Sequence, residues 1–105
     1  MSSVKLMVLY PMPTDIDQFE TDYQAHLSLL HHEMQIPEGE RPYRVTKMLS
    51  SPQMPAKYYL QFSFRFPSHE DLKKTLGSPQ MQRVAADADR ISTGGSPVVL
   101  IGTDD

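Results

Sequence analysis

The chain has 105 residues, of which 39% are hydrophobic and 22% charged, a balance typical of one globular domain that excludes a disordered chain. The formal net charge is −3, and no basic run is longer than the pair Lys73 and Lys74, which excludes the usual signature of a protein that binds nucleic acid or a membrane surface. The lack of cysteine excludes disulfides, thiolate metal sites and cysteine nucleophiles. Because the sequence has no signal-peptide pattern and no membrane-spanning apolar run, we expect one cytoplasmic domain over residues 1–105.

The first predicted strand covers residues 4–10 and is followed by a long amphipathic helix. The strand is apolar at both parities except at Lys5, as in a strand that is covered on both faces. Thr14 is the predicted N-cap of the helix, with Asp17 in the capping-box position, and the helix is predicted to end near Gln35, before a proline. Its apolar residues recur at steps of three and four and form one stripe: Ile16, Phe19, Tyr23, Leu27, Leu30 and Met34.

The middle of the chain predicts two strands. Residues 43–49 alternate roughly between apolar and polar side chains. Residues 58–66 alternate clearly, with an aromatic and aliphatic face that begins at Tyr58 and a polar face formed by Tyr59, Gln61, Ser63 and Arg65. The apolar face is predicted to form one wall of the core.

The last third predicts two short helices and a strand. Ser68 is a suitable N-cap for the first of these helices, and Gly77 is expected to close it in the left-handed conformation. The second helix is predicted over residues 78–89, and a Thr93-Gly94-Gly95 break precedes a strand over residues 97–101. The order β-α-β-β-α-β, with the second helical region split, predicts an α+β ferredoxin-like fold. Its four-stranded antiparallel sheet would have the first and third strands at its centre.

His26 is the main functional candidate, because it falls on the apolar stripe of the long helix. An imidazole there is either satisfied inside the core or faces a cavity. A histidine with an ordinary pKa near 6.5 is suited to moving a proton, and tyrosine can orient a polar group of a ligand. The functional interpretation joins His26 and Tyr23 with a group from the sheet, for which the candidates are Tyr10, Tyr59 and Arg65. The structural alternative is a core histidine bonded to a backbone carbonyl, with Tyr23 as packing.

The remaining histidines do not predict a metal site. His31, His32 and Glu33 are adjacent, but neighbouring residues of a helix point in different directions. His26 lies five and six residues before that pair of histidines, which does not place two ligands on one helix face. His69 is expected to be exposed at the start of the second helical region. We therefore predict no bound metal.

Four segments of the chain carry recognisable motifs: VKLMVLYPMP, the helix motif Tyr23-x-x-His26-Leu27-x-Leu29, SPQMPAKYYL, and LGSPQMQRVAADADRISTGG. Together and in this order they resemble the EthD family of dimeric α/β-barrel proteins over roughly residues 4–102. The resemblance implies a ferredoxin-like subunit that pairs sheet against sheet into a homodimeric barrel. The family's usual pattern has proline two residues after the histidine, where this chain has Ser28, so the helix is expected to be straighter here.

The resemblance also bears on function. The family takes its name from a gene cluster for ethyl tert-butyl ether degradation, a xenobiotic catabolic pathway in which a haem-thiolate oxygenase does the oxidation. Relatives with the same barrel include cofactor-free monooxygenases and isomerases that bind their ligands between the helices and the sheet. This implies a cofactor-free oxygenase or isomerase for a small hydrophobic or aromatic molecule, with His26 as acid/base and Tyr23 orienting the substrate. The alternatives are a non-catalytic accessory protein that assists an oxygenase, or a relic whose pocket is filled by side chains.

Overall fold

The computed structural model describes residues 3–104. Its elements in chain order are β1 (Val4–Pro11), α1 (Ile16–Met34), β2 (Tyr43–Lys47), β3 (Tyr58–Phe66), α2 (His69–Leu76), α3 (Pro79–Ile91) and β4 (Val98–Thr103). The four strands form one antiparallel sheet in the order β2-β3-β1-β4, and the helices pack on one of its faces. The predicted ferredoxin-like α+β fold, with the first and third strands at the centre, is confirmed. No helix within this part of the chain is long and apolar enough to cross a membrane.

The core lies between the sheet and the helices. β1 and β3 pair so that Leu6 lies opposite Phe64 and Tyr10 opposite Leu60, and these alternate positions face the helices. From α1 the stripe contributes five buried side chains: Phe19, Tyr23, His26, Leu27 and Leu30. Each large apolar side chain buried in this way contributes about 1.5–3 kcal/mol. The prediction was wrong for Ile16, which is the first residue of α1 and stays 45% exposed.

The predicted N-cap Ser68 is confirmed, whereas the predicted N-cap of α1 and the conformation of Gly77 were wrong. Ser68 caps α2, and Ser78 caps α3 in the same way. Asp15, not Thr14, caps α1, because its Oδ1 accepts a hydrogen bond from the Gln18 backbone N–H at 3.1 Å. Gly77 has a φ of −82°, since the next residue, Ser78, is already the N-cap of α3 and leaves no room for a left-handed turn.

The boundaries of three further elements, β2, α3 and β4, shift by a few residues. β2 ends at Lys47 rather than at residue 49, and Leu49 is 94% exposed. α3 continues to Ile91. β4 starts one residue later than predicted and extends to Thr103, because its pairing with β1 continues to the partners Val4 and Thr103.

A β-bulge in β3 changes the face of Tyr59. Tyr10 pairs with Leu60 and Pro11 pairs with Tyr58, so Tyr59 is the extra residue between them. An extra residue interrupts the alternation of side chains along a strand. The Tyr59 ring packs edge-on against Phe19 with 5.6 Å between ring centroids. Its predicted place on the polar face was therefore wrong.

The Thr93-Gly94-Gly95 break packs against the end of β1. The Thr93 hydroxyl accepts a hydrogen bond from the Thr14 backbone N–H at 3.2 Å. A Cβ atom on Gly94 would lie 1.9 Å from the carbonyl oxygen of Met12, so only glycine allows the two backbones to come this close. This contact joins the connection before β4 to the segment that leads into α1.

Candidate functional site

A small cavity of about 150 Å³ lies between the sheet and the helices α1 and α3. Only three of its lining residues, Tyr10, His26 and Gln82, have polar side-chain atoms. The others are apolar and come from both layers: Leu6, Val8, Leu30, Phe62, Leu76, Met81, Val84, Ala85, Ala88, Pro97 and Val99. The amphipathic spacing of α1 brings His26 to this wall, because it shares a helix face with the buried stripe.

His26 is held by a carboxylate from α3. Its Nδ1 lies 2.9 Å from Oδ2 of Asp87, and Oδ1 of Asp87 accepts a hydrogen bond from Nε of Arg90 at 2.9 Å. An ionised carboxylate can only accept hydrogen bonds, so we assign the imidazole proton to Nδ1. Nε2 is then left with a free lone pair, and no residue in the described part of the chain hydrogen-bonds it. The structural alternative expected a backbone carbonyl as the partner of His26, but the partner is the side chain of Asp87.

Burial and charge set the protonation of the pair. Burial lowers the pKa of His26 below its ordinary value, although the bond to Asp87 opposes this. Burial acts to raise the pKa of Asp87, but the hydrogen bonds from His26 and Arg90 outweigh it and lower this pKa. At neutral pH the pair is therefore a neutral imidazole beside an ionised carboxylate. Such an imidazole can accept a proton at Nε2, and the carboxylate then stabilises the cation.

Two of the predicted tyrosines lie close to His26, and one of them lines the cavity. Tyr10 is 2% exposed and forms part of the cavity wall. Tyr23 packs beside both residues, with ring centroids 5.6 Å from Tyr10 and 5.8 Å from His26. It is not among the lining residues, and burial raises the pKa of its hydroxyl. The structure thus brings His26, Tyr10 and Tyr23 together but leaves Tyr23 behind the cavity wall.

Tyr59 and Arg65 do not join this cluster. The Tyr59 hydroxyl donates to the carboxylate of Glu20, which raises the pKa of Tyr59 to about 12. Arg65 lies on the sheet face away from the helices and forms an ion pair with Asp104. The expected sheet residue beside His26 is therefore Tyr10. Asp87 was missed by the sequence reasoning, because the spacing of an aspartate on α3 does not show which residue of α1 it faces.

A wider groove lies on the other side of α1 and is open to solvent. It has a volume of about 520 Å³ and runs between α1 and residues 36–43. On its wall Nε2 of His31 accepts a hydrogen bond from the Tyr43 hydroxyl at 2.7 Å, while Nδ1 faces the Ile36 carbonyl oxygen at 3.3 Å. These contacts occupy both ring nitrogens of His31 within the fold. Residues 3–104 contain no group of three or more histidines and acidic residues placed to hold a metal ion.

Replacing Tyr23 with phenylalanine is expected to raise the free energy of unfolding by about 1 kcal/mol, because an unpaired buried hydroxyl costs about 1–3 kcal/mol. Among buried side-chain atoms of the described residues, the Tyr23 hydroxyl oxygen has no hydrogen-bond partner. Urea unfolding of both proteins would measure the difference. Tyr43→Phe is the matched control and should be destabilising, since the Tyr43 hydroxyl has a partner. A destabilised Tyr23→Phe protein would show that the hydroxyl is satisfied in solution.

The comparisons with known proteins agree with this fold. No protein-family model and no curated protein matches the chain. An EthD family protein from Bacillus halodurans C-125 is 27% identical, with a TM-score of 0.80 over 98% of this chain and 99% of that one. A dimeric ferredoxin-like protein of unknown function from Jannaschia sp. CCS1 is 15% identical, with a TM-score of 0.68 and coverage of 97% and 98%. An EthD-like protein from Ralstonia eutropha JMP134 is 17% identical, with a TM-score of 0.62 and coverage of 97% and 91%. The resemblance to the EthD family is confirmed.

Proposed function

We propose that this EthD-like chain forms a homodimer and binds one small hydrophobic or aromatic metabolite in the cavity beside His26. His26 would act there as the acid/base of a cofactor-free isomerase or oxygenase in a catabolic pathway. The observation that carries the proposal is an imidazole that lines an apolar cavity, with Nδ1 held by Asp87 and Nε2 without a partner among residues 3–104. This is the arrangement that a general base requires.

The chemistry follows from this geometry. Nε2 would remove a proton from an activated carbon or phenol of the ligand, and Asp87 would stabilise the imidazolium that forms. Return of the proton to a different carbon gives isomerisation. Transfer of electrons from the resulting carbanion to dioxygen gives oxygenation. The apolar walls favour both outcomes because they keep water away from the reactive anion.

The size of the cavity limits the ligand to about one aromatic ring. An apolar protein cavity of about 150 Å³ is known to accept benzene. The cavity beside His26 has the same volume, and its few polar groups include the imidazole. We therefore expect the ligand to carry one hydrogen-bond donor, such as a phenolic hydroxyl, that bonds Nε2.

Homodimerisation is supported by the free side of the sheet. The Jannaschia relative is described as dimeric. In this chain Leu100 lies opposite Met7 on the sheet face away from the helices and is 46% exposed. Pairing of two such faces would bury these apolar side chains in the middle of a barrel.

A non-catalytic role is the second candidate. The small number of polar groups around the cavity favours it, since only three lining side chains have polar atoms. In that case the chain would bind the metabolite and assist a partner such as a haem-thiolate oxygenase. Asp87 would then serve only to hold His26 in the wall.

The binding proposal predicts that the protein prefers phenol to benzene by roughly tenfold, the effect of one hydrogen bond to Nε2. Titration followed by NMR would measure both affinities. In His26→Phe the ring is kept but the acceptor is lost, so the preference should disappear. His32→Phe, on the exposed side of the same helix, is the control and should keep the preference. Equal affinities for the two compounds in the unmodified protein would contradict a role of Nε2.

The two candidate roles are separated by a turnover assay with His26→Ala on a compound that the protein binds. Loss of rate with retained binding supports catalysis by His26. Loss of binding without any measurable rate in the parent protein supports a carrier. If the substitution lowers only the melting temperature and the parent protein binds neither compound, the cavity is structural and both roles are excluded.

A further inference from the structure

Four basic side chains from distant parts of the sequence line one depression on the sheet face away from the helices. They are Lys5 of β1, Arg65 of β3, Arg44 of β2, and Arg41 just before β2. The depression has a volume of about 360 Å³ and also includes Ser63. It lies on the opposite side of the sheet from the cavity beside His26, so it is independent of the function proposed for that cavity.

The strand register explains why these side chains meet. Lys5 lies directly opposite Arg65, and Arg44 lies directly opposite Ser63, which is two residues from Arg65 on the same strand. Residues that are opposite or two apart on neighbouring strands share one face and are close enough to interact. The small side chain of Ser63 leaves space between the long basic ones. Like charges placed in this way repel one another, and a bound anion would relieve that repulsion.

Among residues 3–104, the positive charge of the depression is only partly compensated. The acidic partner in that range is Asp104, which pairs with Arg65 and lies 3.5 Å from Nζ of Lys5. Arg44 and Arg41 make no ion pair with any residue between 3 and 104. Arg41 lies over the ring of Tyr43, with 5.6 Å between Cζ and the ring centroid. Among the described residues, Lys5, Arg44 and Arg65 thus share one acidic partner, Asp104, on a chain whose formal net charge is −3.

We propose that this depression is a binding site for a small oxyanion, a carboxylate or phosphate group of a small molecule. The guanidinium group of Arg44 has no ion-pair partner among residues 3–104 and is free to form paired hydrogen bonds to such a group. The Ser63 hydroxyl is available to donate one more, because no described residue hydrogen-bonds it. Lys5 and Arg65 add positive charge on the far side. In a dimer that pairs the sheets, the oxyanion would lie between the two subunits.

The test is an NMR titration of ¹⁵N-labelled protein with inorganic phosphate and, in a second series, with acetate, both at constant ionic strength set by sodium chloride. We expect saturable shifts of the backbone amides of Ser63 and Arg44 in at least one series. Arg44→Gln should weaken that binding roughly tenfold, which is the effect of losing one charge-assisted pair of hydrogen bonds. Lys74→Gln on α2 removes an exposed positive charge elsewhere and should leave the affinity unchanged.

The outcome also identifies the source of the oxyanion. Saturation by phosphate alone assigns the site to a phosphorylated molecule, and saturation by acetate alone assigns it to a carboxylate. The proposal is overturned if both titrations give only linear, unsaturable shifts, as they would where carboxylates of a second copy already fill the depression. It is also overturned if Lys74→Gln weakens binding as much as Arg44→Gln does.

Discussion

Gly94→Ala is expected to lower the free energy of unfolding by about 3 kcal/mol or more, an effect at the upper end of what forced overpacking causes. The added Cβ would lie 1.9 Å from the carbonyl oxygen of Met12 and 2.8 Å from its carbonyl carbon. Both of these are backbone atoms, so no side-chain rotation can make room. The segment before β4 and the segment before α1 would have to separate. Thermal and urea unfolding would measure the loss.

The matched control for this substitution is Gly39→Ala. Gly39 lies in the exposed connection before β2, and a Cβ there would meet no heavy atom within 4 Å. Its substitution should therefore change stability by less than about 0.5 kcal/mol, as is usual for surface positions. If Gly94→Ala were as mild as Gly39→Ala, the two backbones could not be as close in solution as they are in the structure. The motif Thr93-Gly94-Gly95 would then need another explanation.

Asp87→Ala is expected to lower the free energy of unfolding by about 2 kcal/mol near neutral pH, because a hydrogen bond to a charged group contributes about 1.5–3 kcal/mol. The substitution leaves the buried imidazole of His26 without its partner and frees Arg90. Asp89→Ala is the control on the same helix. Asp89 is exposed, and its side chain makes no ion pair among residues 3–104, so its loss should have little effect.

The loss in free energy of unfolding caused by Asp87→Ala should first become larger as the pH falls. The pKa of His26 lies below its ordinary value of 6.5, so the stability linked to its neutral form is present above that value and is lost as the pH falls. The carboxylate of Asp87 raises this pKa, so without it the pKa of His26 falls further. The variant should therefore lose more stability than the parent as the pH falls below 6.5.

At lower pH the two proteins should become more alike. The pKa of Asp87 lies below its ordinary value of 3.8, so the stability that its carboxylate contributes is present above pH 3.8 and is lost as the pH falls through the lowered value. Urea unfolding at a series of pH values would show the difference between parent and variant grow and then shrink. A difference that stays constant with pH would mean that the pair does not change its ionisation on unfolding.

The sequence reveals the two residues of the candidate pair unequally: it indicates His26 on α1 but not Asp87 on α3. The stripe on α1 identified His26 as buried among apolar residues, because a period of 3.6 residues fixes which side chains share a helix face. Asp87 could not be found in this way, since the contact between α1 and α3 depends on how two helices dock. Tyr10 was one of three candidates from the sheet, and only the packing of β1 under α1 selected it. The roles of these residues remain predictions.

The sequence by itself determined the order of the elements, the antiparallel sheet with β1 and β3 at its centre, the serine cap of α2, and the apolar face of α1. These features depend on local spacing and composition, which act within a few residues. Tertiary structure alone decided the bulge that turns Tyr59 toward α1, the contact of Gly94 with Met12, and the pairing of His26 with Asp87. It also gathered Lys5, Arg44 and Arg65 on one face of a chain without a basic run. Strand register and helix docking bring together residues that are far apart in sequence. Local patterns act within a few residues, so they do not show which distant residues will meet.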